Sequence, residues 1–546
     1  MEKKLTNNII GRNNFYLSVI VFIAFLLRLI NLGNKAIWID EAYSISFASS
    51  EIKNIWGHRY LIRPVYFILL KVWAMFFGYK EFPLRMLSVI FGVFSIILIY
   101  KLAKLLFNRQ VGLFSAFIMA ISNYNINYSQ QVRNYSLFVL LALFSMLMFV
   151  KLLRKNKRSY NYYLGVINIL LVFTHSFGIF ICIVQCSYLF FLNKKTNFSL
   201  QKNMVVFFSS QLAVIIIFVA VIVLYNRNFQ ANMMDFNYMP VNEKNFLINL
   251  LEVFIYGGSR QTQGGFGYAL GLKKLFIPIL LSGAYILLFL LGGFFFNRQS
   301  NSKSAGLNNR NSVLLLLAWI GITISSSYVF LMIFFKICLM RYFIATSPAF
   351  YILVSRGIVL IPKVKIKMIF VGIILLLSFY SLNILYFPEK SGDWKEAVKV
   401  FRENISAGDK VLMMPIDLIV LFCYYYRYDI SVPLEEIDRY GKKTEQGYQK
   451  MFTLGENEFY GIALNASVPD VLETLNRLRD SGANILFFRI PWGEKQVIFL
   501  IDKFMDRFYY LDKRFKFEAE GMELRCYVNR KFFFISETNT SILLKK

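Results

Sequence analysis

Histidine occurs only at His58 and His175, and the five cysteines (Cys182, Cys186, Cys338, Cys423 and Cys526) form no CxxC pair and no zinc spacing. A histidine-rich or zinc–cysteine centre is thereby excluded. Whether Cys423 and Cys526 pair in a disulfide is open. Acids are scarce, 32 against 61 lysines and arginines. No Asp-x-Asp pair exists to hold a metal-bound diphosphate, and no glycine fingerprint follows a strand, so a nucleotide-sugar site is excluded as well. The glycine-rich Gln261–Gly267 reads as an external loop, a candidate lid. No small-residue cleavage site follows the first apolar run, which predicts a retained span.

What is abundant is apolar. Hydrophobic residues make up 57% of 546, with mean hydropathy +0.50, which predicts a polytopic membrane protein. Spans are expected near 15–32, 84–106, 110–122, 135–151, 160–174, 177–192, 204–225, 274–296, 313–335, 342–360 and 367–387, about eleven helices. The net charge of +29 gathers in short clusters between these runs, such as Lys101, Lys104 and Arg109, then Lys151, Arg154, Lys155, Lys157 and Arg158, then Lys363, Lys365 and Lys367. They set topology and do not point to nucleic acid. By the positive-inside rule that side is cytoplasmic, the amino terminus is inside, and loops 33–83 and 226–273 face outward. Residues 1–387 then form the membrane domain. From Pro388 the composition turns to mixed charge, and apolar runs Val411–Met414 and Asn484–Phe488 alternate with the helical Asp470–Asp480. Residues 388–546 are thus expected to be an extracytoplasmic soluble α/β domain.

Just beyond the first span stands Trp38-Ile39-Asp40-Glu41-Ala42-Tyr43-Ser44. An acid at a bilayer edge is costly to keep and marks a functional site, with a solvated helix end as the plain alternative. On the same face lie three arginines, Arg63, Arg133 and Arg341. A guanidinium fork matches phosphate oxygens, although a snorkelling arginine also reaches headgroups. A group transfer on the outer face has no nucleotide donors to draw on. It would use a sugar carried on a polyprenyl phosphate, with a base for the acceptor and cations for the departing phosphate.

The motifs Trp38-x-Asp40-Glu41-Ala42-x-Ser44, Pro64-Val65-Tyr66, Glu81-Phe82-x-x-Arg85-x-x-Ser88, Tyr128-Ser129-Gln130-x-x-Arg133-x-Tyr135-Ser136-Leu137, Thr174-His175 and Arg341-Tyr342 follow in order. In this the chain resembles the GT-C membrane glycosyltransferases over roughly residues 15–410. It is similar to the protein O-mannosyltransferase-like group (glycosyltransferase family 39) and to relatives that move sugars onto lipopolysaccharide or lipid A. The resemblance implies Asp40 as general base with Glu41 as its neighbour. Successive helical residues project about 100° apart, so one acid acts and the other orients. It implies Arg133, Arg341 and Tyr342 near the donor phosphate or cavity wall. Arg63 stands one place from the charge that relatives carry. Tyr66, Arg85, Tyr128 and His175 would line the cavity and acceptor side. For the tyrosines an interfacial belt is the alternative, and for His175 a helix cap.

The expected function is an inverting glycosyltransferase of the cytoplasmic membrane. Its partners would be a polyprenyl-phosphate sugar donor, a glycan, lipid or protein acceptor, and membrane lipids. Whether a divalent metal joins Asp40 and Glu41 is open. The rival readings are a lipid or polysaccharide transporter and a non-catalytic glycan-assembly subunit; charges clustered at one face and a soluble domain speak for the enzyme.

Overall fold

The structure, a computed structural model, describes residues 2–49, 64–155, 157–193, 201–226, 246–257, 276–295, 308–334, 339–387, 394–414, 418–427, 452–454, 456–462, 468–489, 495–517 and 522–530. Arg63, His58, Cys338 and Gln261–Gly267 lie outside the described residues. Contacts divide the chain into two compact units, one of residues 1–32, 56–227 and 239–388, the other of 33–55, 228–238 and 389–546. The acid-bearing segment after the first span therefore groups with the C-terminal residues.

The first unit is helical: α1 (Glu2–Leu29), then, after α2 (Ile39–Ser49) of the second unit, α3 (Pro64–Phe77), α4 (Glu81–Leu106), α5 (Arg109–Ile121), α6 (Asn123–Ser129), α7 (Tyr135–Lys155), α8 (Arg158–Thr174), α9 (Gly178–Asn193) and α10 (Gln201–Asn226). After these come α11 (Phe246–Tyr256), α12 (Phe276–Phe294), α13 (Asn309–Phe334), a 3₁₀ helix (Met340–Thr346), α14 (Ser347–Leu360) and α15 (Val364–Tyr386). Five helical segments among the described residues are long and apolar enough to cross a membrane: Glu81–Leu106, Tyr135–Lys155, Asn309–Ile333, Met340–Leu360 and Val364–Tyr386. In α1, α10 and α12 the described apolar stretches, Asn14–Leu29, Val206–Ala220 and Ser282–Phe294, are shorter. The expected span 110–122 is the 13-residue α5, about 20 Å long at 1.5 Å per residue. It stops at Ser122, whose extended backbone ends α5 while its hydroxyl accepts Asn125 N–H at 3.4 Å to start α6. The expected span 342–360 begins as a 3₁₀ helix because Pro348 has no N–H for an α-helical bond to Ile344. The α-helix starts afresh at Ser347 with proline in its first turn.

Two devices hold this bundle. Gly292 on α12 and Gly357 on α14 lie where an added Cβ would strike the Leu353 and Leu288 carbonyl oxygens, so these helices meet backbone to backbone. Elsewhere Ser145, Asn168, Gln185 and Gln211, all buried, join α7, α8, α9 and α10. Ser145 Oγ donates to Asn168 Oδ1 at 2.6 Å, and Asn168 Nδ2 donates to Gln185 Oε1 and Gln211 Oε1, both at 2.9 Å. Gln185 Nε2 closes the ring on Ser145 Oγ at 2.7 Å. Interhelical bonds of this kind contribute roughly 0.6–2 kcal/mol each in a membrane.

In the second unit α2 is joined by α16 (Trp394–Asn404), β1 (Lys410–Met414), α17 (Leu418–Arg427), β2 (Phe452–Leu454), β3 (Asn457–Gly461), α18 (Val468–Asp480), β4 (Ile485–Arg489), α19 (Lys495–Phe508), β5 (Tyr509–Lys516) and β6 (Glu523–Asn529). The sheet order is β2-β3-β1-β4-β6-β5, with β3, β1 and β4 parallel and the rest antiparallel. Parallel strands are covered on both faces. Leu412, Phe487 and Tyr527 pack with Leu475, Ile501 and Met505 of α18 and α19, while Phe459 and Phe488 meet Phe401 and Phe422 of α16 and α17. The α/β alternation expected from the sequence is present. Cys423 and Cys526 are buried free thiols.

Candidate functional site

Asp40 and Glu41 open α2. The Trp38 carbonyl starts the helix by accepting Glu41 N–H at 2.9 Å and Ala42 N–H at 3.0 Å. Glu41 turns back so that Oε2 accepts the Trp38 N–H at 3.3 Å, the return half of a capping box. This leaves Glu41 0% exposed, whereas Asp40, about 100° round the helix, is half-buried. Both charges lie in the first turn, where the helix dipole favours anions. The approach to α2 is fixed as well, since Tyr425 OH of α17 accepts Ile37 N–H at 2.6 Å. Among the described residues no group of three or more His, Cys, Asp or Glu side chains gathers, so the pair has no third described protein ligand for a metal.

In the first unit the structure brings together most of the other sequence candidates at the corner between α6 and α7. The His175 ring, stacked on Phe138 at 4.7 Å, lies 5.9 Å from Tyr135 on one side and 5.6 Å from Tyr342 on the other. The Arg133 guanidinium stands 5.8 Å from the Tyr135 ring, and that of Arg341 stands 5.9 Å from Tyr342, both within cation–π range. One row, Arg133–Tyr135–His175–Tyr342–Arg341, therefore links the two cations. Tyr128 packs edge-on against Tyr135 at 4.9 Å, and Phe177 against Tyr342 at 5.1 Å. Tyr135 and His175 are buried, while Arg133, Arg341, Tyr342 and Tyr128 are half-buried.

Local sequence sets each part. Tyr124 OH donates to the Met340 carbonyl at 2.7 Å, tying α6 to the 3₁₀ helix that carries Arg341. Asn134 Nδ2 donates to Thr174 O at 2.5 Å, tying the corner to the end of α8. The Phe177 N–H donates to His175 Nδ1 at 3.2 Å, so the neutral imidazole carries its proton on Nε2 and presents a donor there. His175 is also the C-cap of α8, its N–H donating to Leu171 O at 3.0 Å. Tyr66 and Arg85 come from α3 and α4. Tyr66 OH shares a 3.3 Å bond with Ser88 Oγ, which also donates to the Arg133 carbonyl at 3.4 Å. Arg85 is wholly buried and donates to Leu32 O at 2.9 Å, at the exit of α1. Phe138 and Phe177 were not singled out by sequence, because each sits in or beside an apolar run with nothing to set it apart.

Residues 63–225 match the sequence family described as dolichyl-phosphate-mannose-protein mannosyltransferase. That segment carries Tyr66, Arg85, Tyr128, Arg133 and His175 but neither Asp40 nor Arg341. No curated protein matches the chain in sequence. Among solved structures, ArnT from Cupriavidus metallidurans in the apo state superposes with a TM-score of 0.53 at 10% identity, covering 94% of this chain and 98% of that one. ArnT from the same organism bound to undecaprenyl phosphate gives 0.52 at 10% identity over the same shares. The oligosaccharyltransferase AglB from Archaeoglobus fulgidus, in complex with an inhibitory peptide and a dolichol-phosphate, gives 0.46 at 15% identity, covering 77% of this chain and 64% of that one. The present chain thus spans less than two thirds of that protein's length. The likeness to ArnT, over nearly the whole of both chains, establishes a GT-C fold with a small C-terminal sheet unit.

Proposed function

We propose that this GT-C-fold chain is a membrane glycosyltransferase that moves a sugar from a polyprenyl-phosphate donor to a hydroxyl of a glycan, lipid or protein on the outer face of the cytoplasmic membrane. The observation that carries the reading is the row joining Arg133 to Arg341 through Tyr135, His175 and Tyr342. Two half-buried guanidinium groups suit a phosphate monoester or diester, and aromatic faces with a histidine donor suit a sugar ring. The undecaprenyl phosphate bound to ArnT supports the same class of lipid.

In this reading Asp40 is the base. Its carboxylate takes the acceptor O–H proton, the oxygen attacks the anomeric carbon, and the C1–O bond to phosphate breaks with its electron pair leaving on the polyprenyl phosphate. A single displacement of this kind inverts the anomeric centre. Arg133 and Arg341 offset the charge that grows on the leaving phosphate. Glu41, occupied by the Trp38 N–H, orients the turn. Incubating the purified chain with undecaprenyl-phosphate sugars tests the reading. Release of undecaprenyl phosphate that depends on an added acceptor supports it, and its absence with hexosyl, pentosyl and aminopentosyl donors alike overturns it.

A further inference from the structure

A helix leaves its last four carbonyls without partners in its own ladder. At the end of α1 each one is met, and mostly by side chains from far along the chain. The Leu27 carbonyl accepts Tyr386 OH, the Arg28 carbonyl accepts Gln130 Nε2 at 3.1 Å, and the Leu29 carbonyl accepts Leu32 N–H at 3.2 Å. The Ile30 carbonyl accepts the same Gln130 amide at 2.8 Å, and two residues on Leu32 O accepts Arg85 at 2.9 Å. The chain turns here through Asn31, held at φ 56° with its side chain donating to Tyr386 O at 2.9 Å. Gln130 and Arg85 are both 0% exposed. An ordinary helix end needs only a glycine and its own neighbours. This one sits in a socket built from α4, the α6–α7 corner and α15.

Two things attach to the socket. Only four residues, Gly33–Ala36, separate Leu32 from Ile37 at the threshold of α2. On the other side, Gln130 begins the corner on which Arg133 stands three residues later, and Ser129 beside it accepts Arg28 Nε at 3.2 Å. We propose that Arg85 and Gln130 are positioning residues that lock the exit of α1 to the corner carrying Arg133. The proposal rests on the reading of Arg133 as a ligand of the departing phosphate. Arg85 acts through the backbone at Leu32, and Gln130 through the backbone at Arg28 and Ile30.

The test compares Arg85→Met, Arg85→Lys and Gln130→Met in the full chain by hydrogen exchange and by turnover. Met keeps the length of each side chain without a donor, whereas Lys restores one donor at Leu32 O. Amides of residues 30–38 should exchange roughly tenfold faster or more in both Met variants, the factor set by the buried bond lost at Leu32 O in one and by the two lost at Arg28 O and Ile30 O in the other, with exchange in α9 and α14 unchanged. Arg85→Lys should restore slow exchange. In turnover, kcat should fall by roughly tenfold or more in the Met variants, with donor KM within about threefold of wild type. Unchanged exchange at 30–38, faster exchange throughout the bundle, or an unaltered kcat despite local acceleration would each overturn the proposal. If Arg85→Met does not insert, Gln130→Met and Arg85→Lys read the same socket. A wild-type chain that turns over no donor overturns the glycosyl-transfer reading alone, because exchange still decides whether the socket holds the exit of α1.

Discussion

Glu41 Oε2 and the Trp38 N–H lie 3.3 Å apart, so the buried acid of the adjacent pair is engaged in shaping the turn that presents its half-buried neighbour. Asp40→Asn is expected to keep the fold and lose turnover by ~10²–10⁴-fold, the usual worth of a general base. Glu41→Ala removes the return half of the cap and should cost about 0.5–2 kcal/mol of local stability with a smaller loss of rate. Turnover with a polyprenyl-phosphate sugar, measured beside the melting temperature of each variant, checks both, and an Asp40→Asn rate within a few-fold of wild type would remove it as base.

If Arg133 and Arg341 hold the donor phosphate, Gln at either position should raise donor KM or slow phosphate departure by an amount set by a charge-assisted bond, roughly 1.5–3 kcal/mol. If they only reach lipid headgroups, both constants stay near wild type. Steady-state kinetics with donor and acceptor varied separately tell these apart.

Gly92 tests the packing beneath the corner. A Cβ there would strike Ser129 Oγ and approach Arg28 Nε to 3.0 Å, both in a buried polar cluster. The Arg28 guanidinium also donates to Ala24 O at 3.0 Å and to Ala120 O at 3.2 Å, so it joins its own helix to the carbonyl end of α5 and to the Ser129 hydroxyl of α6. Gly92→Ala should destabilise by about 1–3 kcal/mol, as overpacking does, and thermal melting in detergent would show it. A melting temperature equal to wild type would mean the cluster yields at no cost.

The second unit carries a pH dependence of known sign. Burial raises the Glu523 pKa, but the bonds from Arg514 and Arg525 outweigh it and leave the carboxyl below its ordinary value. A depressed pKa contributes stability that is present above the unfolded carboxylate range and is lost as pH falls through the folded value. Wild type should therefore lose more melting temperature on acidification below the ordinary carboxylate range than Glu523→Gln does. Parallel curves would dismiss the effect.

Reporter fusions after Arg158 and after Lys365 should read cytoplasm, and fusions after Gly265 and after Gly392 the outer face. A cytoplasmic signal at Gly392 would reverse the orientation and remove the case for a lipid-linked donor.

Much of this architecture was legible beforehand because long apolar runs leave few alternatives. Most expected spans correspond to helices, and Val411–Met414 and Asn484–Phe488 fall on neighbouring strands β1 and β4. The helix α6 was not, since Asn123-Tyr124-Asn125-Ile126-Asn127 offers three poor helix formers and no apolar run. The break before Ser347 was hidden for the opposite reason, because an apolar run continues through the 3₁₀ turn and only Pro348 disturbs it. Among the site candidates, the adjacency of Asp40 and Glu41 already implied a division of labour. That Glu41 faces Trp38 could come only from the helix starting where it does. Arg85 and Gln130 were visible as motif residues, but their partners are main-chain carbonyls, which no sequence pattern marks.

Ser145, Asn168, Gln185 and Gln211, the four side chains that clasp α7 to α10, share one chemical trait: none can gain or lose a proton in any physiological range. The clasp is therefore blind to acidity. Whatever acidity does to carboxylates or to His175, these four side chains keep the same hydrogen-bond pattern, so acid inactivation would have to begin elsewhere in the chain.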